Sequence, residues 1–194
     1  MNMEKVLNNI AVYCGATLPP DKVYQNAASE LGTCLARHHI GLVYGGTSEG
    51  TMRLVAESAL AAGGRVIGVF PDNLPPEWLQ TGLTEVIYTH GLAERKAAML
   101  ERSDAIIALP GSFGTWDELF DALALLKIPT STMTKTAGVL NVEGFYDDLL
   151  RFIEHSYQTG FTTERHRHLL RSAATPEELL ALLQEPILPN YISS

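Results

Sequence analysis

Short runs of consecutive apolar residues alternate along this chain with longer stretches whose apolar positions recur every three or four residues. The runs have the length and β-branched character of buried strands, and the longer stretches the period of amphipathic helices. Ile10-Ala-Val-Tyr-Cys14 predicts a first strand ending at Gly15, followed by a helix from about Asp21, a fitting N-cap, to His38. Gly41-Leu-Val-Tyr44 predicts a second strand, residues 51–62 a helix ending at Gly63-Gly64, and Arg65-Val-Ile-Gly-Val-Phe70 a third strand closed by Pro71. Further strands are expected at 85–88, 105–109 and 136–142, and further helices at 92–102, 115–127 and 146–155. Thr175-Pro-Glu-Glu178 has a cap residue, a proline at the first helical position and a glutamate three after the cap, so a last helix runs to about Leu183.

Strands that are apolar throughout and separated by helices imply a mostly parallel sheet covered on both faces. The expected fold is α/β, a single Rossmann-like doubly wound domain over residues 1–184, with 185–194 as a proline-containing tail. The size suits one such domain: 194 residues, 46% of them hydrophobic, enough to bury a substantial core. With 22 acidic against 14 basic side chains the net charge is −8. That balance disfavours nucleic acid and anionic membranes, which demand a surplus of Lys and Arg, yet leaves room for one phosphate held by backbone N–H groups. Two cysteines, Cys14 and Cys34, make no disulfide framework. Residues 1–9 lack the apolar core of a signal peptide, and no apolar run nears the ~18 residues of a membrane span, so a cytoplasmic protein is expected.

In folds of this class, ligands bind beyond the carboxyl ends of the strands where the strand order reverses. Two strand-to-helix turns have the composition for that place: Gly45-Gly46-Thr47-Ser48-Glu49-Gly50-Thr51-Met52 and Pro110-Gly111-Ser112-Phe113-Gly114-Thr115. Glycine allows close approach of a ligand, and a helix start favours an anion. Neither turn is a P-loop or a dinucleotide fingerprint. Glu118 admits two readings. In Thr115-Trp-Asp-Glu118 it completes a capping box and returns to the cap's own N–H. Alternatively, it stands beside an anion site as a base that activates water. Arg95 and Lys96 fall on the same side of their helix as Leu92 and Met99, a placement that calls for partners or a ligand unless both snorkel to water. His38, His39, His166 and His168 show no matching Cys or carboxylate constellation and read as surface residues; no metal and no cofactor is expected.

Taken together these segments resemble the LOG ("lonely guy") family, whose early members were labelled possible lysine decarboxylases. Its pattern of Cys-Gly-Ser, Gly-Gly-Gly-x-x-Gly-Leu-Met, Glu-Arg-Lys and Pro-Gly-Gly-x-Gly-Thr-x-x-Glu appears here as Cys14-Gly15-Ala16, Gly45 to Met52, Glu94-Arg95-Lys96 and Pro110 to Glu118. The similarity extends to 66–71, 144–147 and Gly160-Phe161. It implies a phosphoribohydrolase that splits a nucleoside 5′-monophosphate (AMP or a cytokinin riboside monophosphate) into free base and ribose 5-phosphate. Arg95 and Glu118 match the family's catalytic pair. Gly45, Gly46, Thr47, Gly50, Thr51, Met52, Lys96, Pro110, Gly111, Ser112, Gly114 and Thr115 fall in its substrate-binding segments. The resemblance also implies a homodimer with the site near the subunit contact. Departures are Thr47 and Ser112 for glycines, Thr51 for leucine and Ala93 for histidine.

Met99 and Trp116 lie near enough in sequence to contact a base. Leu119–Leu126 is apolar nearly all round, which suits either a dimer contact or burial beneath the C-terminal helices. The competing functional reading is a binding module, as in the related molybdenum-cofactor carriers.

Overall fold

A computed structural model describes residues 5–128 and 135–186; the proposed tail therefore lies almost wholly outside the described residues. Seven strands, β1 (Asn9–Tyr13), β2 (Gly41–Tyr44), β3 (Val66–Pro71), β4 (Glu85–Thr89), β5 (Ala105–Ala108), β6 (Ala137–Leu140) and β7 (Leu170–Ala173), form one sheet. The order is β4-β3-β2-β1-β5-β6-β7, and every neighbouring pair is parallel. Among the described residues six α-helices accompany them, five between strands and the sixth after β7: α1 (Lys22–Arg37), α2 (Gly50–Ala61), α3 (Gly91–Glu101), α4 (Phe113–Leu126), α5 (Asp147–Gln158) and α6 (Pro176–Gln184). The doubly wound α/β expectation holds, with a wholly parallel sheet. Among the described residues no helix is long and apolar enough to cross a membrane.

Strand side chains alternate between the two faces, so each strand feeds two cores. Ile10, Val12 and Cys14 join Leu31, Leu35, Val55, Leu179 and Leu183 under α1, α2 and α6. Ala11 and Tyr13 face the other way, onto Met99, Leu119, Leu126 and Tyr146 of the α3–α4–α5 side. The runs are apolar throughout because neither face meets water. Two helix starts follow their sequence signals: Asp21 accepts a hydrogen bond from the Val23 N–H at 3.0 Å, and Thr175 one from the Glu178 N–H at 3.4 Å.

Three boundaries differ from expectation. The strand β7 has no counterpart in the sequence reading, since Leu-Arg-Ser-Ala at a half-buried sheet edge is neither an apolar run nor a clean alternation. The helix α4 begins at Phe113 rather than Thr115, with Ser112 in the cap position. The helix α5 runs on to Gln158 and stops before Gly160, which adopts φ of +80°.

The chain moves outward from β1 through β2 and β3 to β4, then returns through α3 to the other side of β1, where it lays down β5. The reversal therefore falls between the carboxyl ends of β1 and β5. On the α1–α2 face the two helices cross at Gly32, where an added methyl group would overlap the Val55 carbonyl and stand 3.0 Å from the Ala59 nitrogen. Gly→Ala inside a helix ordinarily stabilises by roughly 0.5–1 kcal/mol. Here Gly32→Ala should instead destabilise by about 1–3 kcal/mol, because backbone cannot move aside as a side-chain tip can. Thermal unfolding reads the sign directly, and a raised Tm would show that the helices separate freely.

Candidate functional site

Three loops converge at the reversal: 15–19 after β1, 45–49 after β2 and 109–112 after β5. Between the first and third lies a cleft of about 230 Å³, lined by Gly15, Thr17, Pro19, Tyr24, Thr51, Pro110, Gly111, Ser112 and Phe145. The two glycine-rich turns behave differently there.

The turn after β5 is open. The Ser112 side chain makes no capping hydrogen bond, and the first-turn N–H groups of α4 have no intrahelical acceptors. Thr115 stands in that turn with its hydroxyl buried and, among the described residues, without a hydrogen-bond partner. Gly111 is required above it, since a Cβ there would collide with the Thr115 side chain. A bare helix start with an unspent buried hydroxyl has the donors that an anion would take.

The turn after β2 is closed. The Gly15 carbonyl accepts from the Thr51 N–H at 3.0 Å, the Met52 N–H at 3.2 Å and the Thr51 hydroxyl at 3.1 Å, and that hydroxyl accepts from the Gly15 N–H at 3.1 Å. Gly50, at φ +57°, has no space for a side chain against Ala16 and Gly15. On its other side the turn is held by 78–80. Ser48 donates through both N–H (2.7 Å) and hydroxyl (3.0 Å) to the Trp78 carbonyl, Gln80 N–H donates to the Gly46 carbonyl at 2.9 Å, and Thr47 bridges to Leu79. The expectation that both helix starts offer free N–H groups is thus corrected for α2. Its first turn is occupied by the chain itself, Thr47 and Met52 are buried, and Gly45 and Gly46 form a wall. Gly45 is the member of that wall closest to charge: a Cβ there would lie 3.2 Å from Arg95 Nη1.

Arg95 from α3 and Glu118 from α4 meet at this wall, Nη2 donating to Oε1 at 2.6 Å. Their side chains are only 14% and 7% exposed. Arg95 Nε is buried with no partner among the described residues. Burial pushes the Glu118 carboxyl above the usual carboxylate range, although the adjacent guanidinium pulls in the opposite direction. Burial likewise raises the Tyr13 phenol and the Cys14 thiol, with Glu118 adding to both, so these neighbours stay neutral. The capping-box reading of Glu118 is corrected. Because α4 starts two residues early, Thr115 is already inside the helix and the carboxylate serves Arg95.

Lys96 lies one step outward, donating to Asp117 Oδ2 at 3.0 Å with Asp121 Oδ1 at 3.6 Å. Met99 is 1% exposed within the core and presents no surface, whereas Trp116 sits edge-on to the exposed Phe113 with centroids 5.2 Å apart. Sequence reasoning missed Thr17, Pro19, Tyr24 and Phe145 as cleft walls. The Phe145–Tyr146 pair carries the one available signal, within the similar segment 144–147, and Tyr146 fixes the end of β5 by donating to the Leu109 carbonyl at 2.6 Å.

The histidines also differ from expectation. His168 is buried, and His38 Nε2 lies 2.7 Å from Glu177 Oε2 beside Cys34. Burial and a hydrogen bond to Glu177 push the Cys34 thiol up to about 12.

An open parallel sheet with an uncapped helix start and a buried arginine–carboxylate pair at its reversal is a Rossmann-like fold with a candidate small-ligand site. Residues 52–183 match the model of the family described as "Possible lysine decarboxylase". The chain is 40% identical over 187 residues to cytokinin riboside 5′-monophosphate phosphoribohydrolase LOG1 of Arabidopsis thaliana, covering 95% of this chain and 86% of that protein. With the corresponding LOG of Oryza sativa subsp. japonica it shares 42% over 184 residues, 94% and 74% of the two lengths. The chain belongs to the LOG family. Among solved structures, the molybdenum cofactor binding protein of Rippkaea orientalis superposes with a TM-score of 0.67 at 21% identity, covering 93% of this chain and 96% of that one. The molybdenum cofactor carrier protein of Chlamydomonas reinhardtii gives 0.64 at 22%, over 89% and 98%. These two show a shared fold.

Removing one partner of a buried pair strands the other charge out of water. Glu118→Ala should therefore destabilise by about 3–5 kcal/mol, while Glu118→Gln, which still accepts from Arg95, should lose far less. Urea unfolding midpoints compare the two; equal losses would mean that the hydrogen bond accepted from Arg95 adds nothing beyond the charge.

Proposed function

We propose that this protein hydrolyses the N-glycosidic bond of a nucleoside 5′-monophosphate, AMP or a cytokinin riboside monophosphate, to free base and ribose 5-phosphate. The observation that carries the reading is the buried Arg95–Glu118 pair beside the open start of α4; the names of the similar plant enzymes support it. The 5′-phosphate sits on the α4 N–H groups, with Pro110, Gly111, Ser112, Gly114 and the Thr115 hydroxyl around it. Gly45 and Gly46 form the floor beneath the ribose, held in place by the buried Thr47, Gly50, Thr51 and Met52. Binding energy from the phosphate is thereby spent at a distance from the bond that breaks.

Cleavage develops positive charge on the sugar, an oxocarbenium-like state that a carboxylate stabilises. Glu118 takes a proton from water as the oxygen bonds to the anomeric carbon and the bond to the base breaks; the departing base nitrogen takes up a proton from solvent, and the proton on Glu118 returns to solvent. Arg95 orients the carboxylate and moves to the ligand as substrate enters, its free Nε supplying a further donor. Lys96, held by Asp117 and Asp121, supports the phosphate side of the site from outside.

The same reading places the molecule as a homodimer in the cytoplasm. Phe120, Leu125 and Ile128 remain exposed on the outer side of α4, and Phe152 and Phe161 are exposed nearby. Burial beneath the C-terminal elements thus leaves much of that surface uncovered, and a second copy would cover it. The two free, buried thiols suit a reducing compartment.

Incubation with a panel of nucleoside monophosphates should release free base, and Glu118→Gln should abolish release with the fold retained. Ligand binding without release would make the protein a binding module instead. The active form of Glu118 is the carboxylate, and burial raises its pKa. The rate should therefore fall as pH drops through a value above the ordinary carboxylate range. An acid limb at the ordinary carboxylate value would remove Glu118 from the step. Sedimentation at micromolar concentration should show a dimer; a monomer would contradict the proposed contact.

A further inference from the structure

Cys34, His38 and Glu177 form a cluster that the proposed reaction does not use. Cys34 lies in the last turn of α1 and His38 is its C-cap, four residues on, a spacing that keeps the two side chains on one helix face. Glu177 comes from the first turn of α6, 139 residues from His38 in sequence. One donor atom from each residue, a sulfur, an imidazole nitrogen and a carboxylate oxygen, lies within 4.8 Å of the other two. His38 Nε2 and Glu177 Oε2 are already 2.7 Å apart, and the side-chain surfaces of these two residues are 44% and 62% exposed. Both can turn on their long bonds while the buried Cys34 stays fixed. Beside the cluster opens a cavity of about 390 Å³, bordered by Ser29, Thr33, Arg37 and Thr175, giving access from solvent.

We propose that Cys34, His38 and Glu177 form a binding site for a zinc-class divalent cation that clips α6 to the end of α1. One thiolate, one imidazole and one carboxylate is a mixed borderline-soft donor set that suits zinc and does not suit magnesium or calcium, which take oxygen. Zinc–ligand bonds of about 2.0–2.3 Å place tetrahedral ligands roughly 3.5 Å apart, within reach of these three donors after small rotations. A water in the neighbouring cavity completes the four positions. On capture the metal replaces the Cys34 thiol proton, which leaves to solvent. The cluster stands where α1 ends, just ahead of β2, and none of its three residues lines the cleft at the carboxyl ends of the strands. The site is therefore structural or regulatory in kind and separate from the proposed chemistry.

Cobalt(II) reports such a site through sulfur-to-metal charge-transfer absorption. Titrating the reduced, untagged full chain should saturate at one cobalt per chain with that absorption, and zinc should displace it while magnesium should not. Cys34→Ser should lose the band. His38→Gln and Glu177→Gln, both at exposed positions that leave folding intact, should each weaken binding more than tenfold, at least the loss typical of an outer-shell partner. Zinc should also raise the Tm of the parent chain and leave that of Cys34→Ser unmoved. Absence of saturable binding, a band that survives in Cys34→Ser, or affinity unchanged by Glu177→Gln would each overturn the proposal and leave the cluster a hydrogen-bonded clasp.

Discussion

Two opposite charges held out of water, Arg95 and Glu118, set the demand that the rest of the site satisfies. A buried carboxylate needs a close and well-oriented cation, and the 2.6 Å contact with Arg95 meets that condition. The connectivity of the sheet makes the contact. Arg95 rides on α3, the crossover that brings the chain back from the outer strand β4, and Glu118 rides on α4, which leaves the central strand β5. The ion pair therefore joins the returning segment to the one that follows the reversal. It lies where the parallel order already leaves a crevice.

That arrangement works against stability in one respect. Because burial raises the Glu118 carboxyl, the folded state holds its proton more tightly than the unfolded chain does. The linked stabilisation is fully present below the unfolded value and is lost as pH rises through the folded one. Near neutrality the ionised carboxylate is a cost that the Arg95 hydrogen bond offsets in part. The same dryness that imposes the cost strengthens whatever the carboxylate does to a charge developing beside it. Tyr13 on the same face of the sheet and Cys14 on the other both stay neutral beside the carboxylate.

The strands, the doubly wound class and two helix caps were legible because each is a local signal: apolar runs for the sheet, Asp21 and Thr175 for the caps. Glu118 was ambiguous for the same reason. Thr115-x-x-Glu118 satisfies a capping-box pattern, and nothing within those four residues tells that α4 starts at Phe113 or that Arg95 waits 23 positions away. The closed start of α2 depends on the Gly15 carbonyl, 36 residues from Thr51, so its glycine-rich composition looked as open as that of the turn after β5. The Cys34–His38 spacing was visible on α1, but its third member arrives from α6. Edge strand β7 was illegible because half-buried Arg171 and Ser172 carry no apolar periodicity.

The unequal fates of the two turns bear on how an acidic chain can hold a phosphate. The cations at the site are matched by carboxylates: Arg95 by Glu118, and Lys96 by Asp117 and Asp121. Local side-chain charge is thus close to balanced, on a background of −8. Attraction for an anion must then come from the N–H groups at the α4 start and the Thr115 hydroxyl, dipoles whose pull falls off within about one helical turn. With the α2 start filled by the Gly15 carbonyl, there is one such receptor instead of two. A field of that range suits the single phosphate of the proposed substrate better than a polymer. The proposed preference for a mononucleotide over a nucleic acid thus rests on where the backbone donors are left unspent, more than on any excess of positive charge.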